Sequence, residues 1–157
     1  MYNIILGLHN LLRWIILLLL LINIVRHFAA INRPFVSIDK KLGLWLMISA
    51  HVQLLTGIYQ WFAGAWGFNN IENNGMTEVM QNSTERFFAI EHTVSMLIAI
   101  ILITIARGIY RKQLTDTKKH RRCILLYTLA LLIILAMIPW PGMDDIGRSL
   151  IPGFGGA

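Results

Sequence analysis

Long apolar runs alternate with shorter polar segments along this chain, and the runs come four times. They cover about residues 4–25, 42–62, 87–106 and 123–140. Each is close to the roughly 20 residues that an α-helix needs to cross about 30 Å of hydrocarbon. Helices are the expected element, because a backbone inside lipid must satisfy its own hydrogen bonds. A soluble four-helix bundle would show polar faces at helical spacing. Here Ile15–Ile22 is apolar without a break, and Ile124–Met137 is interrupted only by Tyr127 and Thr128. The pattern predicts an all-α, polytopic membrane protein whose four transmembrane helices form an up-down-up-down bundle. Residues 1–142 make up that domain, and 143–157 form a short outer-side tail with a Gly-rich, loosely ordered end at Ile151–Ala157.

Local signals mark the helix ends. Pro34 stops the extension of the first helix, and Ser37 or Asp39 can cap the second. Asn82, Ser83 or Thr84 can cap the third, with Glu85 in its first turn. Pro139-Trp140-Pro141-Gly142 ends the fourth, and Trp61, Trp66 and Phe68 join Trp140 in an aromatic belt at the outer interface. The first run has no Lys or Arg ahead of it and is too long for a signal-peptide core, so it is expected to stay as a helix.

Composition narrows the function classes. Of 157 residues 56% are apolar and only 14% charged, against about 25% charged in soluble domains. That excludes a disordered chain, and the single cysteine excludes a disulfide scaffold, a c-type haem attachment and a CxxC site. The net charge of +6 is not a nucleic-acid signature, because the charge is sorted by side. Arg26, Arg33, Lys40 and Lys41 lie in one loop, and Arg107, Arg111, Lys112, Lys118, Lys119, Arg121 and Arg122 in another, whereas the remaining loop and the tail are acidic. The positive-inside rule then puts both basic loops in the cytoplasm and both termini on the periplasmic side of a bacterial inner membrane.

Ionisable groups inside hydrocarbon are costly and are functional hypotheses by default. His9, His51 and His92 lie within the predicted spans, accompanied by Arg13, Gln53 and Glu91. At a rise of about 1.5 Å per residue, His9 and His92 sit at matched depth, roughly 8 Å below the outer hydrocarbon surface, and His51 near mid-membrane. The first and third helices face each other diagonally, so His9 and His92 can approach from opposite sides. One imidazole on each face of an iron is what a single haem b requires. A His51–His92 pair is the other arrangement, with His9 then beside the group. Arg13, one turn after His9, is expected either to pair with Glu91 or to neutralise a haem propionate or anionic quinone, and Trp14 to pack either on the macrocycle or between helix and lipid. Met96 reads as core packing, and Tyr59 and Gln60 as hydrogen-bond donors to a quinone headgroup. His27 and His120, beside Arg and Lys, read as interfacial residues without a special role. The three histidines with Glu91 would also suffice for a non-haem metal.

The segments His9-Asn10-Leu11-Leu12-Arg13-Trp14, His51-Val52-Gln53 and Glu91-His92-Thr93-Val94-Ser95-Met96, with the closing Ile138-Pro139-Trp140-Pro141, resemble small four-helix cytochrome b-like membrane proteins of Bacteroidota-type bacteria. More broadly, the plan is similar to the cytochrome b561-like group. That resemblance implies haem b and electron exchange with quinones, an outer-side redox protein or a larger respiratory complex. Two-haem members need four histidine ligands, whereas only three lie in these spans, so one haem is expected. The contrasting expectation is a non-catalytic membrane subunit or assembly factor whose buried polar residues are structural.

Overall fold

The computed structural model describes residues 1–150, so the Gly-rich stretch Ile151–Ala157 lies outside the described residues. Four spans account for most of the chain. They are α1 (Tyr2–Ala29), α2 (Ser37–Ala63), a third span from α5 (Ser83–Arg86) through a π-turn (Phe87–Glu91) into α6 (His92–Gly108), and α7 (Asp116–Met137). Two short helices, α3 (Phe68–Asn74) and α4 (Met76–Gln81), join the second span to the third. No strand occurs among the described residues. α1 packs on α2 and α7, and α6 packs on α2 and α7, so α1 and α6 stand across the centre from one another. This is the up-down-up-down bundle the apolar pattern predicts, and it makes the protein a multi-pass membrane protein embedded in a lipid bilayer.

The first three spans outrun their apolar runs at both ends, and α7 starts ahead of its run but ends at Met137, short of the expected Trp140. α2 begins at Ser37 and α7 at Asp116, several residues before the first unbroken hydrophobics, because basic residues extend a helix as readily as leucine does. The caps come from particular side chains. Asn82 Oδ1 accepts from the backbone N–H groups of Thr84 and Glu85 at 3.0 and 3.2 Å, satisfying two orphan donors of α5. Asp39, not Ser37, serves α2: its Oδ2 accepts from Val36 N–H at 2.8 Å, and its Oδ1 from Arg26 Nε at 2.7 Å. Its carboxylate is wholly buried. An Asp39→Ala variant should therefore lose about 2 kcal/mol, since it removes a cap and leaves Arg26 without its partner. Thermal unfolding in detergent should show that loss, whereas Asp116→Ala, whose carboxylate is half exposed and 3.7 Å from Lys119, should change little.

The bundle interior is filled by Leu20, Leu46 and Ile103, each fully excluded from solvent, interleaved with Ala50, Ala99 and Ala130. Small residues there let backbones approach, which is how helices pack when lipid is as apolar as leucine. The opposite faces, such as Leu18, Leu21 and Leu132, are exposed and meet the acyl chains. One end of the bundle carries Arg26, Lys40, Lys41, Arg107 and Arg111 and is the basic end. At the other end the chain leaves α7, turns at Trp140, and returns across the bundle: Arg148 N–H donates to Pro139 O at 3.1 Å, and its guanidinium lies 4.8 Å from the Phe88 ring centroid.

Candidate functional site

A cavity of about 810 Å³ opens between the spans at the end away from the basic loops, a volume within the range of small-molecule and cofactor sites. His9 from α1 and His92 from α6 both line it, as do Arg13, Gln53 and Met96. Apolar walls come from α2, α6 and α7, for example Leu54, Ile100 and Ile134. Gly57 of α2 sits against His9, where a β-carbon would stand 3.4 Å from Cε1.

Each of these two imidazoles is held by one nitrogen. His92 Nδ1 lies 2.9 Å from Met137 O, and a carbonyl can only accept, so His92 carries its proton on Nδ1. His9 Nδ1 lies 2.9 Å from Thr56 Oγ1. The Thr56 hydroxyl donates its own hydrogen to Gln53 O at 2.8 Å, so toward His9 it accepts, and His9 too is the Nδ1–H tautomer. The Nε2 atom of both rings thus keeps its lone pair, with no hydrogen-bond partner among the described residues. Ligating histidines are oriented in this way, the second ring nitrogen donating to a fixed oxygen. Two further polar atoms at the cavity, Arg13 Nε and Gln53 Oε1, are buried with no hydrogen-bond partner among the described residues. A donor set of two imidazoles, an unsatisfied guanidinium N–H and apolar walls fits a haem, whose iron takes nitrogen and whose carboxylates take cations.

The π-turn places His92. Such turns recur at functional sites, and one extra residue rotates the helix by about 100° relative to a regular continuation. It also redirects Glu91. The expected Arg13–Glu91 pair is not formed: Glu91 Oε1 accepts from Arg86 Nε at 2.7 Å, five residues back across the π-turn. Arg13, 9% exposed, instead donates through Nη2 to Leu150 O at 2.9 Å. Trp14 does not line the cavity; its indole N–H donates to the same carbonyl at 3.0 Å and its ring meets Trp140 edge-on at 6.5 Å. Trp61 lines the cavity and bonds through its indole N–H to Ala89 O at 2.9 Å, tying α2 to the π-turn.

His51 is elsewhere. It is exposed on α2, its Nδ1 2.8 Å from Met47 O one turn back, and it does not reach the cavity. Among the described residues no group of three or more His, Cys, Asp or Glu comes together in a way that could hold a metal ion. The three-histidine arrangement with Glu91 is thus not assembled. Gln60 lines the cavity, whereas Tyr59 packs with Tyr2 at a centroid distance of 6.5 Å.

His27 and His120 are the residues the sequence undervalued. Both are buried, at 1% and 0% exposure, and their Nδ1 atoms lie 2.8 Å apart across α1 and α7. Phe35 and Tyr127 stack on His27 at 5.5 and 5.9 Å. A buried, hydrogen-bonded histidine pair bridging two membrane-spanning helices is a donor set consistent with metal or haem coordination. A metal held between opposed imidazoles would separate the two nitrogens by about 4 Å, given metal–nitrogen bonds of about 2 Å. At 2.8 Å the two rings instead bond each other. The signal available in the sequence was spacing: His120 and Tyr127 are seven residues apart and share a face of α7.

Fold and site together define a class: a four-helix, multi-pass membrane protein with buried histidines, consistent with small haem-binding membrane proteins. The chain matches no family model, no curated protein and no solved structure.

Proposed function

We propose that this protein holds one haem b in the cavity between His9 and His92. In this role it would pass electrons between quinol in the bilayer and an acceptor, a redox protein or larger respiratory complex, on the outer side of a bacterial inner membrane. The observation that carries the reading is the matched pair of Nδ1–H tautomers on diagonal helices, each leaving Nε2 free at one cavity. The resemblance to cytochrome b-like proteins supports it. When bound, haem supplies a one-electron couple at iron. His9 and His92 would hold the iron through their Nε2 atoms, and Met137 O and Thr56 Oγ1 would fix the orientation of the two rings. Arg13 would offer its buried Nε–H to a carboxylate. The apolar walls keep water from the centre, and Gln60 offers an amide to a quinone entering from the lipid.

The test is a reduced-minus-oxidised spectrum of protein purified in mild detergent, and of apoprotein titrated with hemin. Low-spin b-type bands are expected in both. A folded protein without them in either preparation overturns the proposal. His120→Phe assigns the site: it should keep the bands while lowering the unfolding temperature, because His27 Nδ1 loses its buried partner at a cost of about 1–3 kcal/mol. Loss of the bands in this variant, with the fold intact, would move the centre to the basic end.

A further inference from the structure

Three cations from two spans converge on a single ring at the basic end. The Arg107 guanidinium lies 4.1 Å from the Tyr110 ring centroid, Arg111 lies at 5.3 Å, and Lys40 Nζ from α2 at 5.8 Å. Arg111 Nε also donates to the Tyr110 hydroxyl at 2.8 Å. None of the three has a carboxylate within ion-pair distance among the described residues, where the ion pairs are Arg26–Asp39, Arg86–Glu91 and Lys119–Asp116. Arg107 Nε is moreover buried without a hydrogen-bond partner. Its side chain is laid against the bare backbone of Gly43, where a β-carbon would come within 3.4 Å of Arg107 Cδ. The aromatic face offsets part of the repulsion among the cations, and no carboxylate of the described residues neutralises them.

Position along the spans bears on which anion would fit there. Arg107 and Arg111 close the third span and Lys40 lies in the first turn of α2, so the cluster sits where lipid headgroups meet water. Deeper on the same two helices, Trp45 and Ile105 are exposed and apolar, a surface suited to an acyl chain. We propose that Lys40, Arg107, Tyr110 and Arg111 form a binding site for the phosphate of an anionic phospholipid, its chains running down the lipid-facing sides of α2 and α6. The site is independent of the haem cavity and stands whether or not haem binds.

Native mass spectrometry of the detergent-purified protein tests this, with phosphatidylglycerol, phosphatidylcholine and inorganic phosphate titrated separately. Phosphatidylglycerol adducts should survive, and phosphatidylcholine adducts should not. Lys40→Gln/Arg111→Gln, which alters only exposed side chains, should weaken phosphatidylglycerol binding about 10- to 30-fold, given the affinity each basic residue contributes near a membrane surface. Arg107→Gln, which removes one charge and the buried Nε, should weaken it about 5-fold. Arg121→Gln/Arg122→Gln removes the same charge from exposed positions on α7 and should leave binding within about twofold. Equal weakening in that control would overturn the proposal in favour of diffuse surface charge. Equal retention of phosphatidylcholine, or displacement of phosphatidylglycerol by millimolar phosphate, would overturn it as a lipid site.

Discussion

His92→Ala is expected to abolish low-spin haem binding. The purified variant should retain less than about a tenth of the wild-type haem, because among the described residues His9 is then the only histidine left at the cavity. Met96 lines the cavity one turn further along α6, but a thioether would yield a different spectrum from a second imidazole. His9→Ala should behave alike, and His51→Ala should not, since His51 lies outside the cavity. Added imidazole should restore the low-spin bands to His92→Ala if the loss is one of ligation. A variant that keeps its unaltered spectrum would remove His92 from the centre. The orienting hydroxyl gives a graded comparison: Thr56→Val should weaken haem retention about 10-fold, the scale typical of residues that hold a ligand in place.

The second large effect is expected at Gly67→Ala, far from any charge. Gly67 precedes α3, and a β-carbon there would run into the main chain of Trp61, with the Trp61 Cα at 2.8 Å and its carbonyl oxygen closer still. Main chain cannot rotate aside as a side-chain tip can. The turn must open, and it carries Trp61, whose indole is bonded to Ala89, and Trp66, packed 5.9 Å from Phe88. We expect a loss of about 3 kcal/mol, read as detergent unfolding, together with a lower haem content because Trp61 lines the cavity. Gly75→Ala is the contrast. Gly75 pairs φ +80° with ψ 152° and has open space around it, so alanine there meets backbone strain without a clash, about 1–3 kcal/mol, and should leave haem content unchanged because Gly75 does not line the cavity. Equal effects at the two glycines would show that the close approach to Trp61 is not what matters.

The four spans were legible because lipid leaves a compositional imprint that no soluble fold of this size shares. That His9 and His92 could come to one cavity was legible too, since both are counted from helix entries on the same side. The pairing of Glu91 was not. It follows from a π-turn, and an α-helical period carried through Phe87–Glu91 turns that carboxylate toward the wrong partner. His27 and His120 were hidden differently. Hydropathy reports where lipid begins, not where a helix ends, and both residues lie on helical extensions that continue beyond the apolar runs. Their neighbours Arg26, Arg121 and Arg122 reach solvent while the imidazoles turn inward to each other. Polar surroundings in the sequence thus said little about polarity around the side chain.

The two cavity histidines are anchored differently, and this bears on how such a site can evolve. His92 leans on the main-chain carbonyl of Met137, a group that every amino acid at that position would supply. His9 leans on the hydroxyl of Thr56, which a single substitution can remove, and Thr56 is in turn fixed by the carbonyl of Gln53. One side of the site is written into the backbone trace and is insulated from mutation. The other is an adjustable setting, so descendants of this sequence could retune the basicity of one imidazole while the opposite one stays constant.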